Sequence, residues 1–172
     1  MLKIFDSYIL PPSVFKWKFA KFCIISPIFA PEMARIIGID YGTKRIGVAT
    51  TDPLQIIASP LETVATPQIY EFLKNYFFTE EVESIIVGEP KKLDDTEADI
   101  MPQVRTFVKR LNQLFPDITV HMQDERYTSR EAQRVILNSG IKKMKRQDKT
   151  LVDKISASII LQEWMKASGK WV

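Results

Sequence analysis

From position 33 onward the apolar positions change period in a readable order. RIIGID (Arg35 to Asp40) is a near-continuous apolar run and RIGVATTD (Arg45 to Asp52) is a second. The four residues Tyr41-Gly42-Thr43-Lys44 between them have the spacing of a β-hairpin connection. IIASPLETVA (Ile56 to Ala65) predicts a third strand. Thr66-Pro67 reads as an N-cap followed by proline at the first helical position. Ile69, Phe72, Leu73, Tyr76 and Phe77 then recur at helical spacing, which makes one face of that helix core. SIIVG (Ser84 to Gly88) is a short buried strand, closed by Glu89-Pro90. Val104, Phe107, Val108, Leu111 and Phe115 mark a second amphipathic helix that Pro116 ends. TVHMQDE (Thr119 to Glu125) is a fifth strand. Thr128-Ser129-Arg130-Glu131 has capping-box spacing and opens a helix reaching about Asn138, with a stop near Gly140. A last helix runs from about Leu151 to Lys166.

Three antiparallel strands followed by strands alternating with helices predict an α/β domain, a mixed five-stranded sheet flanked by helices. The 172 residues, 45% of them hydrophobic, suffice for one such domain, expected over residues 33–172. No apolar run reaches the roughly 18 residues of a membrane span, so no membrane partner is expected. The single cysteine, Cys23, offers neither a disulfide framework nor a thiolate metal cluster, and a cytoplasmic location is the simplest expectation. Residues 1–32 mix scattered lysines, four prolines and aromatics without a sustained period. The expectation is an N-terminal extension, disordered or outside the native start at Met33. KWKFAKFCIISPIFA has the outline of a secretory signal, but Pro27 breaks its apolar run.

Charge changes the picture once the extension is set apart. Lys3, Lys16, Lys18 and Lys21 stand there against Asp6 and Glu32, so +2 of the net +3 belongs to the extension and +1 to the domain. Net charge therefore says little about a nucleic-acid partner, and only local clustering can make that case.

In this architecture chemistry concentrates in the crevice at strand ends. Three acids qualify: Asp40 at the end of the first strand, Glu125 at the end of the fifth, and Asp153 in the first turn of the final helix. Asp153 shares a helical face with Ala157, Ile160, Leu161 and Trp164 and so should point toward the sheet. Carboxylates converging in a dry site repel one another, and a divalent cation relieves the repulsion. Hard oxygen donors suit magnesium or manganese. Each acid also has a plainer reading: Asp40 caps a turn, Glu125 pairs with Arg126 or Arg130, and Asp153 meets a helix macrodipole.

The motifs GIDYGTKRIGVA, SIIVGEPKKLDDTE, DERYTSREA and KTLVDKISASIILQ, in that order from Met33 to about Trp164, resemble the YqgF family of pre-16S rRNA nucleases and Holliday junction resolvase-like proteins. That resemblance implies an RNase H-like fold, with Asp40, Glu125 and Asp153 as catalytic residues and ligands of Mg2+ or Mn2+. It further implies two metal ions about 4 Å apart that activate water and stabilise the leaving oxygen. The implied partner is pre-rRNA or a ribosomal precursor particle, with branched DNA as the alternative substrate, and the implied state is a monomer or weak homodimer. Two departures stand out. Glu89 replaces the apolar residue common between the glycine and proline of SIIVGEP, and Ser156 stands where junction-cutting resolvases carry a second acid.

Phosphate contacts are expected from the IKKMKRQDK segment, where Lys142, Lys143, Lys145, Arg146 and Lys149 face only Asp148 immediately before the last helix. Arg126, Arg130 and Arg134, four residues apart, form a candidate basic stripe, and Lys44 with Arg45 a third group in the first hairpin. Two other function classes remain open. Asp-x-Gly-Thr after an apolar strand also resembles the phosphate hairpin of the actin and sugar-kinase superfamily, but 140 residues leave no room for the second domain of that nucleotide cleft. A non-catalytic RNA-binding module for ribosome assembly would carry the same charges without turnover.

Overall fold

The computed structural model describes residues 34–91, 98–124, 134 and 149–169. The extension 1–32, the helix expected after Thr128, and the candidates Glu125, Arg126, Arg130, Lys142, Lys143, Lys145 and Arg146 lie outside the described residues. Arg134 is helical and exposed.

Five strands form one sheet: β1 (Arg35–Tyr41), β2 (Arg45–Thr51), β3 (Ala58–Ala65), β4 (Val82–Glu89) and β5 (Thr119–Asp124). Three helices accompany them among the described residues: α1 (Ile69–Thr79), α2 (Met101–Leu114) and α3 (Lys149–Ala167). The strand order is β3-β2-β1-β4-β5. β1 runs antiparallel to β2 and parallel to β4, β2 runs antiparallel to β3, and β5 runs parallel to β4. The mixed sheet expected from the sequence is the one found.

Strand alternation divides the apolar residues between two faces. Ile37 and Ile39 of β1, Ile46 and Val48 of β2, and Ile85 and Val87 of β4 pack with Ile69 and Leu73 of α1 and Val104, Phe107 and Leu111 of α2. Full burial of such a side chain contributes about 1.5–3 kcal/mol. On the other face Ile36, Ala49 and Ile86 meet Ala157, Ile160, Leu161 and Met165 of α3. Here two strand glycines set the distance. A Cβ on Gly38 would stand 2.7 Å from the Ala157 carbonyl oxygen, and one on Gly47 would stand 2.0 Å from that of Asp153. Only hydrogen side chains at these positions let the helix backbone lie so close to the sheet.

Three local expectations change. β3 begins at Ala58, not Ile56, because the Asp52 carboxylate accepts hydrogen bonds from the N–H groups of Leu54, Ile56 and Ile57 at 3.1, 2.8 and 2.7 Å. That carboxylate folds the segment into a turn with Gln55 at φ 56°. Thr66 does not cap α1. Its hydroxyl donates to the Gly42 carbonyl at 2.8 Å and its N–H to the Lys44 carbonyl at 3.2 Å, and a 3-10 turn over Thr66–Gln68 leads into the helix. Finally, α3 starts at Lys149, which puts Asp153 beyond the first turn, where the macrodipole has largely faded. Among the described residues no helix is long and apolar enough to cross a membrane.

Candidate active site

Asp40 lies inside β1, opposite Gly47 of β2, and not in the hairpin turn. A strand position leaves its carboxylate no turn to cap. By alternation it shares a face with Ile36 and Gly38, the face that α3 covers. Asp153 is carried there by α3, whose backbone at that residue rests on Gly47. Two acids distant in sequence thus meet because a glycine in β2 removes the side chain that would hold them apart.

Their meeting is visible in the electrostatics. Burial pushes the Asp40 carboxyl up from 3.8 to about 7, and the nearby Asp153 charge adds to the rise. The buried Ser156 hydroxyl, hydrogen-bonded to Asp40, works in the other direction. Ser156 is three residues beyond Asp153 on the same helical face. The position where a second acid would be expected in a resolvase therefore holds a neutral partner for Asp40.

Arg45, the first residue of β2, donates from Nε to Oδ2 of Asp153 at 2.9 Å. This expected phosphate contact is thus also the partner of an expected metal ligand. Lys44, at the hairpin tip, is exposed, as is Lys149 at the start of α3. Glu89 is not beside Asp40. It alternates with Ile85 and Val87 toward α1 and α2, in register with Asp124 of β5. Lys91 bridges the two acids, its Nζ 3.4 Å from Glu89 and 3.2 Å from Asp124, and its pKa is raised chiefly by the Asp124 hydrogen bond. Sequence reading missed Lys91, Asp124 and the role of Ser156. Strand parity is the signal that separates Glu89 from the Asp40 face.

A family model described as RuvX, Holliday junction resolvase, matches residues 34–167 of this chain. The chain belongs to the RuvX family. RuvX relatives named as pre-16S rRNA nucleases include one from Christiangramia forsetii, 50% identical over 77% of this chain and 98% of its own length. Another, from Porphyromonas gingivalis, is 50% identical over 77% of this chain and 96% of its own length. A solved structure of RuvC from T. thermophilus in complex with a Holliday junction substrate has the same fold, with a TM-score of 0.50 and 15% identity over 79% of this chain and 96% of that one. The RNase H-like fold implied by the YqgF-family resemblance is therefore the fold present.

RuvX membership implies a divalent cation, and the donor set fits one. Asp40 and Asp153 offer hard oxygen atoms from two rigid elements, and the Asp40 carboxyl is raised first by burial and next by the Asp153 charge, which a bound cation would offset. Among the described residues no group of three metal-ligating side chains forms. The third expected ligand, Glu125, follows β5 directly and lies outside those residues.

Proposed function

We propose that this chain is a divalent-metal-dependent endonuclease that trims the 5′ end of pre-16S rRNA during ribosome biogenesis. The observation that carries the reading is the convergence of Asp40 and Asp153 beneath α3, with the burial and charge that favour a bound cation. The names of the 50%-identical relatives support the choice of substrate.

In this reading Asp40, Asp153 and Glu125 would hold Mg2+ or Mn2+, which would supply a water nucleophile and charge neutralisation for phosphodiester hydrolysis. Ser156 keeps the Asp40 carboxyl oriented through its hydroxyl. α3, seated on Gly38 and Gly47, fixes the Asp153 backbone. Lys44 and Lys149 present charge to the phosphate backbone, joined by Arg134 and by the cations of the 141–149 segment. The partner is pre-rRNA or a ribosomal precursor particle, and the protein acts as a monomer or weak homodimer in the cytoplasm.

Cleavage of precursor rRNA with magnesium or manganese tests the reading. Asp40→Asn, Glu125→Gln and Asp153→Asn should each lower turnover by about 100-fold or more while RNA binding persists. Cleavage untouched by all three substitutions would sink the site. RNA binding without any metal-dependent cleavage would identify a non-catalytic assembly factor instead. A second reading, resolution of four-way DNA junctions, draws on the family description and the RuvC-like fold. Ser156 at the expected acid position weighs against it, and a junction substrate assayed beside the RNA separates the two.

A further inference from the structure

We propose that Arg45 is the resident counter-ion of the site, holding Asp153 while no divalent cation is bound and turning to a substrate phosphate once the cation takes that carboxylate. This rests on the metal-dependent reading above and adds to it a second position for one side chain.

Both ends of the ion pair stand on fixed backbone. Arg45 opens β2 opposite Ala65 of β3, and Asp153 rests on Gly47, two residues further along the same strand and on the same face. The 2.9 Å contact is therefore built by the packing of α3 on β2. Its function is also needed there. Without a cation the Asp153 and Asp40 charges oppose one another, and the Arg45 guanidinium on Asp153 sets a positive charge against that repulsion.

The pair is nevertheless made to be broken. The two side chains keep 40% and 26% of their surface exposed, so solvent can replace either partner. A partly exposed pair of this kind is weak, whereas a divalent ion between two carboxylates is not. Arginine cannot leave by losing its proton, so Asp153 is freed only by exchange of partners. The contact to Asp153 uses Nε, and a guanidinium has four further N–H donors in a planar fork suited to phosphate oxygens. Arg45 is also next to exposed Lys44, where an incoming backbone would arrive.

Mn2+ binding without nucleic acid, followed by paramagnetic resonance, tests the proposal on the full-length protein, with cleavage measured in parallel. Arg45→Gln should bind Mn2+ up to about fivefold more tightly than wild type and yet cleave RNA more slowly. Arg45→Lys, which keeps the charge, should return Mn2+ affinity close to wild type. Circular dichroism establishes that the variants are folded. Unchanged Mn2+ affinity in Arg45→Gln would overturn the counter-ion role and leave a simple phosphate contact. Weaker affinity would overturn it in favour of a purely structural pair. Unimpaired cleavage would overturn the phosphate role. If wild-type binding is insensitive to Asp40→Asn, the metal site itself fails and this inference falls with it. Binding that depends on Asp40 but ignores Arg45 removes the inference alone.

Discussion

The two faces of the sheet are built on opposite rules. Against α1 and α2 the strands present isoleucine and valine, and helix and sheet are kept apart by interlocking large side chains. Against α3 the strands present Ile36 and Ile86 as well, but Gly38, Gly47 and Ala49 stand between them, and at the two glycines helix backbone lies directly on strand backbone. The first face stores stability. The second brings Asp40 and Asp153 together. In the proposed reading, function depends on what the strands lack, and the thick face supplies the rigidity that makes the thin one possible.

The sharpest way to break this comparison is Gly47→Ala. The new methyl would press on the Asp153 carbonyl, which is backbone and cannot rotate away, so α3 must lift. Cleavage should fall by about 100-fold or more, as expected when reacting groups are misplaced by about 1 Å. A variant that cleaves normally would show that helix contact does not set the site. Leu111→Ala, on the thick face, should cost about 2–5 kcal/mol of stability in denaturant titration, since Leu111 is fully buried. At temperatures where that variant remains folded, kcat/KM should stay near wild type. A large loss of turnover would mean the two faces are not separable.

The smallest effect concerns protons. In the cation-free protein the Asp40 carboxyl is raised from 3.8 to about 7, chiefly by burial. Between those values the unfolded chain is ionised while the folded chain holds its proton, so this group makes stability fall as pH rises from about 4 to about 7. Asp40→Asn should remove that contribution. Thermal melts in chelator across this range should show the variant gaining on wild type as pH rises, and parallel curves would refute the shift.

Much of this was legible in the sequence, for identifiable reasons. Apolar periodicity is local, so the five strands and the α1, α2 and α3 faces could be read directly. Asp40 and Asp153 were legible because charge at an apolar element demands an explanation. The Arg45–Asp153 pair was not, since it joins residues 108 apart through a helix docking that no local period encodes. Its trace was present all the same. Arg45, Gly47 and Ala49 share one parity of β2, and a small residue inside a strand marks a close backbone neighbour. For Glu89 the deciding signal is strand parity, since it alternates with Ile85 and Val87 and so stands with Lys91 on the other face. Thr66 misled because a hydroxyl before a helix has two uses, and the Gly42 carbonyl claimed it.

That long reach also orders events during synthesis. Asp40, Arg45 and Gly47 emerge together in one hairpin, but the carboxylate that completes their arrangement belongs to a helix made much later. Early-made segments can form the hairpin while the ribosome is still at work. In the proposed reading, a nascent nuclease surrounded by the RNA of the ribosome making it would still lack the Asp153 corner of its cutting site. In that reading the site is complete only once α3 has been made and has settled onto Gly47.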